Sequence, residues 1–136
     1  MGLVITLPHP PQRLGANGSR GTSYGAVVAL NLLRKEAREA GYAACLEALK
    51  QRGATAFKPA AYFIEWRYWG TVKPDVDNIV ARLKSVLDGC SAAFDIDDRH
   101  LELAGVSRVH VKNKLNKGVS IFFLDHWQPL VTYKQN

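Results

Sequence analysis

Hydrophobic positions fall into short periodic runs separated by proline and glycine. Residues 3–7 (Leu-Val-Ile-Thr-Leu) read as a strand, ended by Leu7-Pro8-His9-Pro10-Pro11, where proline forbids helix and favours an extended edge or turn. Residues 12–22 are a Gly-rich loop without the Gly-Lys-Ser/Thr ending of a phosphate-cradling loop. From Ser23 to about Leu49 the pattern is helical, marked by Val27, Leu30, Leu33, Ala37, Ala44 and Leu49. Gly41 predicts a kink, or a split into two helices. Tyr62–Trp69 is aromatic and β-branched, a strand that Gly70 closes. Residues 77–89 are a second helix. With Asp77 at 0° and about 100° per residue, Ile79, Val80, Leu83, Val86 and Leu87 cluster on one core face, and Gly89 is the expected stop. Residues 103–112 alternate, with Leu103, Gly105, Ser107, Val109 and Val111 on one side and Val106, Arg108, His110 and Lys112 on the other. A turn at 113–118 leads to a last strand, 119–124, and the pair predicts a hairpin with a basic face. The order β-α-(α)-β-α-β-β predicts one α+β domain over residues 1–136, with a mixed or antiparallel sheet and two or three helices.

Composition narrows the class. The chain has 136 residues, 47% hydrophobic and 22% charged, which suits one folded domain and argues against disorder. No apolar run is long enough for a membrane helix, and no membrane partner is expected. The first residues lack a basic segment and reach proline early, unlike a signal peptide. Two cysteines make neither a disulfide framework nor a Cys-only zinc site, so a reducing cytoplasm is the expected location.

The net charge is +6, and its distribution says more than its sum. Residues 1–74 carry ten Lys/Arg and four Glu, residues 75–104 seven acids and three bases, and residues 105–136 five bases and one acid. Six of the seven aspartates lie between Asp75 and Asp98. An acidic knot inside a basic chain suits a metal-dependent enzyme acting on nucleic acid: the bases hold phosphates and the carboxylates hold a cation.

The knot is Lys73-Pro74-Asp75-Val76-Asp77-Asn78, a helix, then Phe94-Asp95-Ile96-Asp97-Asp98. In an extended segment Asp75 and Asp77 project to one side, and two neighbouring carboxylates repel unless a cation lies between them. Mg²⁺ takes one or two carboxylates plus water and phosphate oxygens, and Asp97 or Asp98 would add a third. Asp77 or Asn78 also suits a helix N-cap, and the later acids suit a turn. An EF-hand is excluded, because Val80 and Val86 fall where that loop needs Gly and Glu.

Lys-Pro-Asp-Val-Asp-Asn, the Lys-bearing helix ending in Leu-Asp-Gly, and the following Asp-Asp pair resemble the RusA-type Holliday-junction resolvases, most densely over residues 73–100 and more loosely over 3–12. The resemblance implies a homodimer that binds four-way DNA junctions and cuts them with Mg²⁺, Mn²⁺ being an alternative ion. The family's metal-binding, catalytic aspartates would fall on Asp75, Asp77 and Asp98, with Asp97 a possible substitute for the last. The family's usual catalytic lysine position is Ala81 here. On the helical wheel Lys84 shares the stripe of Asp77, Ala81 and Asp88, whereas Arg82 points away. Lys84 is therefore the expected catalytic lysine, with Lys73 the fallback and a Lys84–Asp88 pair the structural alternative. Arg13, Arg20, Arg67, Lys73, Arg108, Lys112, Lys114 and Lys117 are the expected phosphate-contacting residues. His100, His110 and His126 have no metal-ligand spacing. Trp66, Trp69 and Trp127 are expected in the core or a dimer interface.

Overall fold

The structure is a computed structural model that describes residues 2–16, 21–53 and 56–128. Its regular elements are β1 (Gly2–Leu7), α1 (Tyr24–Arg52), β2 (Ala61–Tyr68), α2 (Val76–Phe94), β3 (Glu102–His110) and β4 (Gly118–Leu124). Short 3₁₀ turns cover Gln12–Leu14, Asp98–His100 and Lys114–Asn116. This is the expected α+β domain, with two long helices on one face of a mixed four-stranded sheet of order β1-β4-β2-β3.

The core follows from the residue pattern. Leu3 and Ile5, Ile64 and Trp66, and Val119, Ile121 and Phe123 alternate onto one face of the sheet. Leu30, Ala37, Gly41 and Cys45 of α1 and Ile79, Leu83, Val86 and Cys90 of α2 pack onto them. Val80 and Leu87, expected in the core, are half-buried. The Cys90 thiol is pushed up by its hydrogen bond with Cys45 and by burial, so it stays protonated.

Neither helical glycine ends or breaks its helix. α1 runs unbroken through Gly41, and α2 continues past Gly89 to Phe94, where Asp95 takes the left-handed conformation with φ 55°. The two glycines mark the place where the helices meet. A Cβ on Gly41 would lie 2.9 Å from the Val86 carbonyl carbon, and one on Gly89 2.9 Å from the Arg38 carbonyl carbon, each nearer still to the oxygen.

The expected β3–β4 hairpin does not form. β4 lies between β1 and β2, antiparallel to both, and β3 pairs parallel with the other edge of β2. The physical reason lies in the strands. Val-Ser-Ile-Phe-Phe of β4 is apolar on nearly every residue and suits a central position, while β3 is amphipathic and suits an edge. The connection 111–117 therefore crosses the end of β2. The alternation expected in β3 holds from Gly105 onward. A bulge between the Tyr62 and Phe63 pairings moves Leu103 to the side of Val106.

Candidate functional site

Parallel pairing of β2 and β3 brings Arg108 to the end of the sheet where the chain leaves β2 toward Asp75. β2 leaves the sheet at Tyr68, and residues 69–75 lead directly into α2. Arg108 of β3 donates from Nη1 to the Pro74 carbonyl at 3.2 Å and so fixes the backbone just before Asp75. Asp75 stands at the N-cap of α2 with extended backbone, and its carbonyl accepts from Ile79 N–H at 3.1 Å. Its side chain makes no capping bond.

The helix starts one residue earlier than expected, so Asp77 lies in its first turn rather than on an extended segment. Asp75 and Asp77 still share a cleft, lined also by Ala16, Val76 and Asn78, and both are exposed. The N-terminal dipole favours their negative charge. Neither Asp77 nor Asn78 is the N-cap.

The wall of this cleft is pinned from the N-terminal side. A Cβ on Gly15 would lie 2.9 Å from Arg82 Cγ and 3.0 Å from Asn78 Cγ, so only glycine lets this loop lie flat on the first turns of α2. Arg82 donates from Nε to the Pro10 carbonyl at 3.0 Å and adds a second bond from Nη2. Its guanidinium lies over the Trp66 ring, 4.8 Å from the centroid. The His9 ring stacks on Trp66 at 4.1 Å, and its Nε2 bonds the carbonyls of Arg67 and Gly118 at 2.8 and 3.0 Å. Nε2 therefore carries the proton. Burial lowers the pKa of His9, aided by the charges of Arg82 and Lys117. Arg82 and His9 thus hold the proline turn to the core. Nothing in the one-dimensional pattern signals this stack beyond the presence of a histidine among prolines.

The basic side chains expected to contact phosphate stand on several segments. Arg13 stands in the first 3₁₀ turn and donates to the Ala26 carbonyl at 3.4 Å. Lys73 is exposed in the loop before Pro74. Lys112, Lys114 and Lys117 are exposed on the connection crossing the end of β2, where Lys114 lies 5.6 Å from the centroid of the exposed Trp69 ring. Arg67 departs from its expected role. It is spent within the fold on Glu65 at 3.0 Å, Ser120 Oγ at 2.8 Å and the Asn116 carbonyl at 3.2 Å. Arg20 lies outside the described residues. His110 bonds the Gly70 carbonyl at 3.0 Å. Trp66 is buried, as expected, whereas Trp69 and Trp127 are exposed.

Lys84 and Asp98 do not join Asp75 and Asp77. They line a second cleft further along α2, with Tyr62, Val80, Leu87 and Leu101 as its walls. Lys84 makes no ion pair with Asp88 among the described residues. Asp97 and Asp98, equivalent in sequence, separate here. Asp97 accepts from Arg99 at 3.0 and 2.7 Å and from the Arg99 backbone N–H at 3.0 Å, and the Arg99 guanidinium holds its carboxyl below the usual range. Asp98 lines the cleft instead.

Two carboxylates in an open, polar cleft suit Mg²⁺, which fills its remaining positions with water and phosphate oxygens. Among the described residues no three His, Cys, Asp or Glu side chains are gathered closely enough to hold an ion together, so the three-acid set is not assembled in this conformation. No helix among the described residues is long and apolar enough to cross a membrane.

No family model matches the chain, and a search of the curated proteins finds no match.

Proposed function

We propose that this protein is a Mg²⁺-dependent, structure-selective endodeoxyribonuclease acting on four-way DNA junctions. The observation that carries the reading is the Asp75/Asp77 cleft at the start of α2, preceded by Lys73 and held at Pro74 by Arg108, in a chain whose other exposed bases include the lysines of the 111–117 connection. That arrangement suits a phosphodiester whose neighbouring phosphates are held by Lys and Arg. The resemblance over residues 73–100 names the class of substrate.

Asp75 and Asp77 would hold the ion, and Asp98 would join them only on movement of the 95–101 segment. A bound Mg²⁺ supplies Lewis acidity toward the phosphate and a water of lowered pKa. Asp77 accepts the proton of the attacking water or orients it. Arg13, Lys73, Arg108 and the lysines of 111–117 hold the flanking backbone in position. Lys84 lies about 10 Å along the helix from Asp77, at roughly 1.5 Å per residue. It serves charge developing at the cleaved phosphate only if its side chain reaches back toward the helix start.

Two symmetric nicks require two symmetric sites, which a C₂ homodimer supplies. Tyr24 and Val28 at the start of α1, and Tyr42 and Leu46 further along it, stay exposed as two small apolar patches with Asn31, Lys35 and Arg38 between them.

The test is cleavage of a synthetic four-way junction beside a linear duplex of matching sequence, with Mg²⁺ or EDTA. Junction-only cutting, lost in EDTA and in Asp75→Asn, is expected. Binding without cutting would instead mark a non-catalytic junction-binding module. Cutting of small phosphate esters alone would mark a phosphohydrolase.

A further inference from the structure

The cleft that takes Lys84 and Asp98 away from the acid pair has a character of its own. It measures about 270 Å³, just under the roughly 300–1,000 Å³ of small-molecule sites, which is room for one planar ring system. Tyr62, Val80, Leu87 and Leu101 give it largely apolar walls. Lys84, Asp88 and Asp98 supply one cation and two carboxylates. An ion site would not need such walls.

Ser91 lines this cleft and the adjoining one at Asp97 and Asp98. It is only 5% exposed, and its hydroxyl has no hydrogen-bond partner. A buried hydroxyl without a partner carries a cost that a ligand would remove.

The cleft lies on the stripe of α2 that begins at Asp77 and continues through Ala81, Lys84 and Asp88. The separation from Asp77 to Lys84 is about 10 Å, which is about three nucleotides at 3.4 Å along one strand and fewer if the strand is extended.

We infer that this cleft takes an unpaired nucleobase of the branched DNA, unstacked near the branch point, with Lys84 on its phosphate. Aromatic and aliphatic walls flanking polar groups are how proteins hold an extruded base. Carboxylates accept hydrogen bonds from exocyclic amines, so adenine, cytosine or guanine is favoured over thymine. The inference rests on the nuclease reading above for its source of bases and gives that site a fixed distance from base to cut.

The experiment uses the full chain carrying Asp75→Asn, so that DNA is bound but not cut. 2-Aminopurine is placed at each position around the branch of a synthetic junction, one position per substrate. The expected result is a several-fold fluorescence rise at one position within about three nucleotides of the cut made by the unmodified protein. Adding Ala81→Phe, which fills the cleft, should abolish the rise without loss of junction binding, and adding Ser91→Ala should reduce it. Thymine at the mapped position should slow cleavage by the unmodified protein.

Junction bound with no responding position, or a response that survives Ala81→Phe, overturns the inference and leaves the nuclease reading standing. A change in the sedimenting mass of Ala81→Phe also overturns it, because the cleft would then belong to a subunit contact. If no junction is bound, the nuclease reading fails, and the cleft is tested with dAMP, dCMP and dTMP by methyl NMR. Shifts at Val80, Leu87 and Leu101 with dAMP or dCMP would then assign it to free nucleotides, and no shifts would refute a nucleobase site altogether.

Discussion

Replacing Gly89 or Gly41 with alanine sets two physical effects against each other with opposite signs. Helix propensity alone favours alanine by about 1 kcal/mol. The structure predicts loss instead. A Cβ on Gly89 would fall 2.9 Å from both the Arg38 carbonyl carbon and the Tyr42 backbone nitrogen, and closer to the Arg38 oxygen, whereas ordinary contact begins at 3.4 Å. Every one of these neighbours is backbone of α1, which cannot swing aside as a side chain would. The helices must separate by roughly 1 Å, a gap that forfeits between a quarter and a half of each dispersion contact it opens. Overpacking of this kind costs about 1–3 kcal/mol, and with rigid partners on both sides the upper end applies. After the propensity gain, each variant should lose about 2 kcal/mol, or about 6–10 °C in Tm for a chain of this size. Gly25→Ala, where nothing lies within 4 Å of the new methyl, is the control and should gain up to about 1 kcal/mol. The double variant Gly41→Ala/Gly89→Ala should lose less than the sum, because one separation admits both methyls. Urea or thermal unfolding by circular dichroism reads all four. A Gly89→Ala protein as stable as Gly25→Ala would refute the close helix crossing.

Three further outcomes are expected. His9 has a folded pKa below its unfolded value of about 6.5, so its contribution is complete above that pH. Tm should therefore fall as the pH drops from about 6.5 toward the folded pKa, and His9→Phe, which keeps the ring on Trp66, should flatten this slope. Ser91→Ala removes a buried hydroxyl without a partner and should raise stability by about 1 kcal/mol, while weakening any ligand response of the cleft. Lys114→Ala should weaken junction binding equally for all sequences and lower the slope of log K against log salt by about 0.9, read by fluorescence anisotropy over a salt series.

Most of the fold could be read from local chemistry. The aromatic run of β2, the apolar face of α2 and the proline stop after β1 each depend on neighbours in sequence, and each stands where the pattern put it. The pairing of strands does not depend on neighbours. Residues 103–112 and 119–124 look like a hairpin because they are adjacent, yet β4 is apolar on both faces and belongs inside the sheet. That placement sends β3 to the far edge of β2 and carries Lys112, Lys114 and Lys117 over its end. Glycine misled for a related reason. Gly41 and Gly89 carry the local signature of a break and a stop, but their role is close helix contact, visible only in three dimensions.

The acid pair was legible as Asp75 and Asp77, although the helix begins between them. The distinction between Asp97 and Asp98 was not, because it turns on the Arg99 side chain folding back onto one of them. Arg67 looked like a phosphate ligand by charge alone, and register placed Glu65 and Ser120 within its reach.

On the proposed function, one chain paired with a second copy would cut branched DNA through the Asp75/Asp77 cleft. The direct measurement is strand-resolved mapping of a four-way junction, with each of the four strands end-labelled in turn and Mg²⁺ present. Nicks are expected at symmetric positions in two opposing strands, absent with EDTA and absent with Asp75→Asn. Uncut strands from a junction that remains bound, or equal cutting of linear duplex, would contradict the proposed function.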